Sequence, residues 1–473
     1  MSREFDVVVV GAGTGGYVAA IRAAQLGLKV AVVERQKALG GTCLLHGCIP
    51  TKALLEHAHA LQTVQHAKEW GITAGGGAVS LSMPRVHARK DKVVSGLSRG
   101  VEYLFKKNKV EWVKGTARLG SNGVVEVVDG DAQTLTARHE IVVATGSAPA
   151  SVPGVTIDRR RIITSDEAIH LSEVPQTMAV LGCGAVGVEF ASIFSRFGSQ
   201  VTLIELLPRL MPAEDVAIST ELEKAFRKQG VSVYTGTRVT RAQAQSDGVE
   251  VGLTPADGTE RTIRVDYLLV ATGRGPVTTG LDLERLGVEL ERGYIKVDAA
   301  YRTSVPGISA IGDVITLGQP SGHPQLAHLS SAEGILAAER IAQREIRPLD
   351  YDHVPHCTYC APEIGSVGLT EQEAGRRGYD VQVGTFPFGV LGRAKIAGET
   401  DGFVKIVADR RYDEVLGVHM IGSRSTELIG EATLALGLES TVEELARMIH
   451  AHPTMSEAIG EAAHALHGGA IHL

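Results

Sequence analysis

A strand that ends in a run of glycines and turns directly into a helix occurs twice in this chain, and each time a second strand then closes on a glutamate. In the first copy the apolar run 5–10 leads into Gly11-Ala12-Gly13-Thr14-Gly15-Gly16, a helix pattern follows to Leu26, and residues 29–34 read as the next strand, ending at Glu34. In the second, residues 177–181 lead into Gly182-Cys183-Gly184-Ala185-Val186-Gly187, a helix to Phe197 and a strand ending at Glu205. Strand, tight turn, helix and strand in that order open a parallel βαβ unit. Val142-Val143-Ala144-Thr145-Gly146 returns late in the second copy as Leu269-Val270-Ala271-Thr272-Gly273. The repeat therefore has the scale of a domain. An α/β fold with two Rossmann-like nucleotide-binding domains is expected.

At 473 residues the chain is long enough for about three domains. Residues 1–149 and 150–276 are expected to hold the two nucleotide folds, with 277–347 completing the first. Ala148-Pro149-Ala150-Ser151-Val152-Pro153-Gly154 reads as a crossing linker, and Arg347-Pro348-Leu349 as a boundary. Residues 348–473 mix strand patterns at 403–408 and 415–420 with helix patterns at 426–436 and 442–448, without a glycine fingerprint. That texture is α+β.

A net charge of −7 gives no general reason to bind nucleic acid or an anionic membrane. No apolar run approaches the ~20 residues of a membrane span. With neither a signal peptide nor a transit pattern before the first strand, a cytoplasmic protein is expected. Five cysteines in such a length form no disulfide framework.

Each glycine loop has a physical use. Gly11, Gly13 and Gly16, like Gly182, Gly184 and Gly187, allow a tight turn, close approach to a pyrophosphate and close helix packing, while Glu34 and Glu205 stand where a carboxylate meets a ribose. No arginine is directly beside Glu205 to meet a 2′-phosphate, although Arg209 is nearby, so the second loop favours NAD over NADP. Cys183 reads as an inert small residue inside that loop.

The first nucleotide unit runs on into Gly40-Gly41-Thr42-Cys43-Leu44-Leu45-His46-Gly47-Cys48-Ile49-Pro50-Thr51-Lys52. Two thiols at this spacing can close a small disulfide loop if the chain between them begins a helix, whose amino terminus also favours a thiolate. Zinc bound by both cysteines and His46 would still want a fourth ligand, and no metal site is expected. The Cys357-Thr358-Tyr359-Cys360 pair has no second pair to complete a metal site and reads as two core or interface cysteines.

The 40–52 segment resembles the redox motif of the pyridine nucleotide-disulfide oxidoreductases. Ala310-Ile311-Gly312-Asp313, Gln325-Leu326-Ala327-His328 and His450-Ala451-His452-Pro453-Thr454-Met455-Ser456-Glu457 extend the resemblance over nearly the whole chain. Within that family it is similar to the members that oxidise dihydrolipoyl groups with FAD and NAD. The arginines usual for NADPH-linked reductases and the carboxy-terminal cysteine pair of mercuric reductases are not expected here. The chain departs from the common pattern at Leu45 and His46, which bears on local hydrogen bonding, and at the cysteines before Pro362.

The resemblance implies roles. FAD would be held by the first loop, Glu34, Lys52, the backbone around Gly115, Thr145, Gly146, Asp313, Gln325, Leu326, Ala327 and His328. NAD would be held by the second loop, Glu205, Val239 and Gly273. Cys43 would exchange with substrate and Cys48 would face the flavin, with Lys52 paired to Glu189. The carboxy-terminal domain would form a homodimer and send His452, oriented by Glu457, into the partner subunit's site as a base. The lipoyl group would arrive on another chain, an acyltransferase or an H-protein.

Overall fold

Consecutive valines give Arg3–Val10 and Val30–Glu34 the near-continuous apolar character of strands buried on both faces, and the Thr14–Gln25 helix between them lets them pair in parallel. The computed structural model describes residues 3–73, 79–319 and 322–473. Across the first sheet the order is Glu111–Lys114, Val30–Glu34, Arg3–Val10 and Gln133–Val143, all parallel. The last of these is long enough for two partners. Its early residues pair antiparallel with Val124–Val127, and its end pairs in parallel with Ile308–Ala310.

The chain divides into two compact units. The first comprises residues 1–54, 84–150 and 273–349, the second 55–83, 151–272 and 350–473. In the first, Ser147–Pro149 and Arg274–Pro276 form an antiparallel two-stranded crossing. Residues 55–83 depart from the division read in the sequence, because they group with the second unit. There Glu56 acts electrostatically on Arg196 and lines a cavity with Tyr359.

The second unit repeats the parallel sheet in the order Ser232–Tyr234, Gln200–Ile204, Thr177–Leu181, Tyr267–Val270 and Ile162–Ile163. It also contains an antiparallel five-stranded sheet, ordered His356–Thr358, Ile364–Gly368, Glu414–Gly422, Gly402–Asp409 and Val381–Pro387. The Glu457–Leu466 helix lies so close on the last strand that a Cβ at Gly384 would stand 2.1 Å from Ala462 O. Among the described residues no helix is long and apolar enough to cross a membrane.

Candidate active site

The glycines of the first loop are needed for space. Gly11 has φ +102°, and a Cβ there would sit 2.4 Å from Ala144 O; one on Gly16 would sit 2.0 Å from Gly11 O. The Thr14–Gln25 helix then starts at Gly13 with no side-chain cap and no acidic residue in its first turn. Other helices of this chain are closed by Thr164, Asp215, Thr370 and Thr441. An uncapped amino terminus leaves N–H groups for an anion. Buried Glu34 accepts hydrogen bonds from Ala12 N and Gln36 N, both at 2.7 Å, and a carboxylate retains lone pairs beyond these two for ribose hydroxyls.

The remaining residues expected at this nucleotide lie in the same unit. Gly115 has φ +147°, and a Cβ there would strike Asp129 O at 2.4 Å. Thr145 Oγ1 donates to Val277 O, and Gly146 O accepts from Val277 N. Asp313 accepts from Ser147 Oγ at 2.6 Å, and Arg274 Nε in turn donates to that hydroxyl. Burial pushes the Asp313 carboxyl up against the opposing influence of Ser147 and Arg274. Gln325 Nε2 donates to Asp313 O, and Leu326 and Ala327 open the Ala327–Ile341 helix, which also lacks a side-chain cap; His328 is in its first turn. The cradle fits a dinucleotide.

The redox segment grows out of this cradle. Gly40 N donates to Ala12 O, and Gly41 stands so close to the loop that a Cβ on it would be 2.4 Å from Gly13 Cα. Cys43 sits inside the short Gly41–Leu45 helix, and Cys48 opens the 18-residue Cys48–Gln65 helix. Both are present as thiols. The hydrogen bond to Cys48 carries the Cys43 thiol far above the ordinary thiol range, burial and charge on Cys48 add to this, and Lys52 opposes it. The two thiols are thus joined by a hydrogen bond. Tyr17, which no spacing rule singles out, lies beside Cys43; burial and then that thiol's charge raise its hydroxyl.

In the second unit Gly182 and Gly187 reproduce the first loop, with added Cβ atoms 2.5 Å from Ala271 O and 1.9 Å from Gly182 O. Glu205 accepts from Cys183 N at 2.8 Å and Leu207 N at 2.9 Å, and the Ala185–Phe197 helix is uncapped at Gly184. Val239 is buried on the Arg238–Gln245 strand. Gly273 falls in the first unit, at its border. Arg209 turns its guanidinium to Pro212 O. Glu189 is buried and accepts from Tyr359 N at 2.9 Å.

His452 is exposed, and its Nδ1 is 2.8 Å from Glu457 Oε1. Burial works to raise the Glu457 carboxyl, but hydrogen bonds from Thr454 N and His452 carry it below its ordinary value. An anionic orienter fixes the imidazole with Nε2 outward. A second pair lies beside it: His450 Nε2 is 2.8 Å from Glu431 Oε1, and the ring rests against Gly460. Nothing in the spacing announces Glu431. A cavity of about 520 Å³ lined by Tyr359, Arg393, Arg424 and residues 453–456 adjoins the same loop. Cys360 is buried with its thiol on Pro362 O, and Cys357 contacts Thr426 O. Among the described residues no His, Cys, Asp and Glu cluster is suited to a metal ion.

Residues 5–334 match the model of the pyridine nucleotide-disulphide oxidoreductases, and residues 354–463 match the dimerisation domain of the same group. A dihydrolipoyl dehydrogenase of Bacillus subtilis is 44% identical over the full length of both chains. A mitochondrial dihydrolipoyl dehydrogenase of Schizosaccharomyces pombe is 46% identical over 97% of this chain and 89% of its own. The crystal structure of LpdA from Mycobacterium tuberculosis superposes with a TM-score of 0.87 at 27% identity, covering 98% of this chain and 99% of that one. The flavoprotein disulfide reductase RclA of Escherichia coli gives 0.85 at 28%, covering 97% and 99%. With two glycine cradles, a dithiol on the first and a match to the family over most of its length, the chain belongs to the pyridine nucleotide-disulphide oxidoreductases.

Proposed function

We infer that the chain is a dihydrolipoyl dehydrogenase, which oxidises dihydrolipoyl groups and reduces NAD. The observation that carries this reading is the Cys43 thiol bound to the Cys48 sulfur at the head of a long helix, in a chain matched end to end by relatives of that name. In the oxidised enzyme the two sulfurs are joined. A substrate thiolate attacks Cys43, which forms a mixed disulfide and releases Cys48 as thiolate; the second substrate sulfur then closes the lipoyl disulfide and frees Cys43. His452 takes the proton from the substrate thiol, and Glu457 stabilises the imidazolium. Bound at the first loop, FAD supplies the two-electron acceptor between this dithiol and the NAD held at the second. The net result is a lipoyl disulfide, NADH and one proton.

The residue roles are those drawn above from the resemblance. Lys52 places a positive charge beside the dithiol, as its influence on Cys43 supports. The enzyme works as a homodimer in the cytoplasm, each chain lending His452 to its partner subunit, and takes its lipoyl group from a carrier protein. A dimerisation-domain match and an exposed His452 support the shared site.

Dihydrolipoamide and NAD given to the purified flavoprotein should yield NADH; failure would overturn the reading. His452→Ala should slow this by about 10²–10⁴-fold without loss of flavin. Heterodimers of a Cys48→Ser chain with a His452→Ala chain should regain one working site. If they stay as inactive as the parents, His452 does not act in trans.

A further inference from the structure

The 26-residue helix Met83–Asn108, in the first unit from Pro84 onward, carries Arg85, Arg89, Lys92, Arg99, Lys106 and Lys107, all exposed. At 3.6 residues per turn these six fall within an arc of about 100°, with exposed Tyr103 in its middle, and the stripe runs roughly 33 Å. Asp91 and Glu102 lie outside that arc. Among the described residues none of the six is in an ion pair. Other solvated helices mix their signs: Lys224 pairs with Glu221, Arg227 with Glu223, and Arg447 with Glu443. On the opposite face Val101 and Phe105 enter the core, and Ser98 Oγ donates to Leu39 O at 2.8 Å, immediately before the Gly40–Cys43 turn. The helix is thus pinned from behind to the segment that carries the dithiol.

We propose that this cationic stripe is a docking surface for an acidic face of the lipoyl-bearing carrier protein, steering the tethered dithiol toward Cys43. The proposal rests on the function inferred above, because only a substrate delivered on another protein needs a landing surface. A single-sign stripe raises the encounter rate of an opposite charge without demanding a tight interface.

The test compares two substrates on the holoenzyme: free dihydrolipoamide, and a recombinant lipoylated carrier domain of net negative charge with its lipoyl group reduced. In the triple variant Arg85→Glu, Lys92→Glu, Arg99→Glu, kcat/KM for the carrier should fall about 10–100-fold at low ionic strength, a difference that salt should erase. Activity with free dihydrolipoamide should stay within about two-fold, as expected for a change in encounter alone. The corresponding Gln triple should show a smaller loss of the same selectivity, and serves alone if the Glu triple loses flavin. Equal losses with both substrates, an unchanged carrier reaction, or a wild-type carrier rate insensitive to salt would overturn the proposal. So would a stripe whose reversal abolishes binding to duplex DNA or anionic vesicles, or dissociates the dimer, while carrier kinetics stay the same. A wild-type enzyme inactive even with free dihydrolipoamide would instead refute the inferred function.

Discussion

The two glycine loops agree in their hydrogen bonds as far as Gly40 and Met211, and then separate. Ala12 N donates to Glu34 and Cys183 N to Glu205, at 2.7 and 2.8 Å. Gly40 N donates to Ala12 O and Met211 N to Cys183 O, at 3.0 and 2.9 Å, after Leu39 and Leu210, both fully buried. Three residues on, the first half has Cys43 and the second has Glu214. Past that point the first half runs into the helix that begins at Cys48. The second runs into Asp215, which caps the Val216–Lys228 helix and is paired with buried Lys405. Duplication supplied two equivalent cradles; the short segment after the second strand decides which one carries a redox centre.

If the cradles hold different nucleotides, equivalent substitutions should fail differently. Gly16→Ala and Gly187→Ala each drive a Cβ into a carbonyl oxygen of their own loop, Gly11 O and Gly182 O. The first should strip the flavin and with it all activity, read from visible absorbance. The second should keep the flavin and its reduction by dihydrolipoamide, while kcat/KM for NAD falls about 100-fold, the loss expected when reactant positioning is disturbed. Loss of flavin in both would break the comparison.

The segment after the first cradle should matter only to thiol chemistry. Cys48→Ser should lower dihydrolipoamide turnover by more than about 10³-fold, as for other groups that bond to the reacting atoms, yet NADH should still reduce the flavin. Two-electron reduction of the wild type should produce a long-wavelength charge-transfer band from the Cys48 thiolate to the flavin, and the variant should lack it. Survival of that band in the variant would remove Cys48 from its assigned role.

Much of this was legible in the sequence, because glycines at fixed spacing and valine runs are local signals: the strands at 177–181 and 403–408, and the helix ending at Phe197, lie where the pattern put them. The motif 450–457 pointed to His452 and Glu457, which the fold brings within hydrogen-bonding distance. What spacing could not reveal are contacts made across the fold. Tyr17 beside Cys43, Glu431 on His450 and Ser147 between Asp313 and Arg274 are partners by topology. The membership of residues 55–83 in the second unit was hidden for the same reason, since a helix pattern says nothing about what packs on it.

On the second half's side of the comparison, Lys405 Nζ meets Asp215 Oδ1 at 2.8 Å and Glu371 Oε2 at 2.6 Å. Asp215 is almost wholly buried. Lys405→Met would leave that carboxylate without its cation, at a cost of about 3–5 kcal/mol. The thermal midpoint should drop clearly while flavin content before heating, and dithiol chemistry measured at low temperature, stay near wild type. An unchanged midpoint would show that the pair is dispensable.

The smallest expected effect concerns Glu214, the counterpart of Cys43. Burial pushes its carboxyl up to about 7, a hydrogen bond with Ser366 pulls against this, and Asp215 beside it pushes the same way as burial. A carboxyl raised in the folded chain adds stability that is complete below its unfolded value near 4.3 and is lost as pH rises through about 7. Gln cannot ionise. Glu214→Gln should therefore melt with the wild type near pH 5 and a few degrees above it at about pH 8, the gap opening between the two. Because other groups titrate equally in both proteins, the difference between the two curves isolates this carboxyl. A gap that is constant with pH, or one that opens toward acid, would mean that Glu214 is ionised in the folded chain and that burial does not govern the position equivalent to the redox thiol.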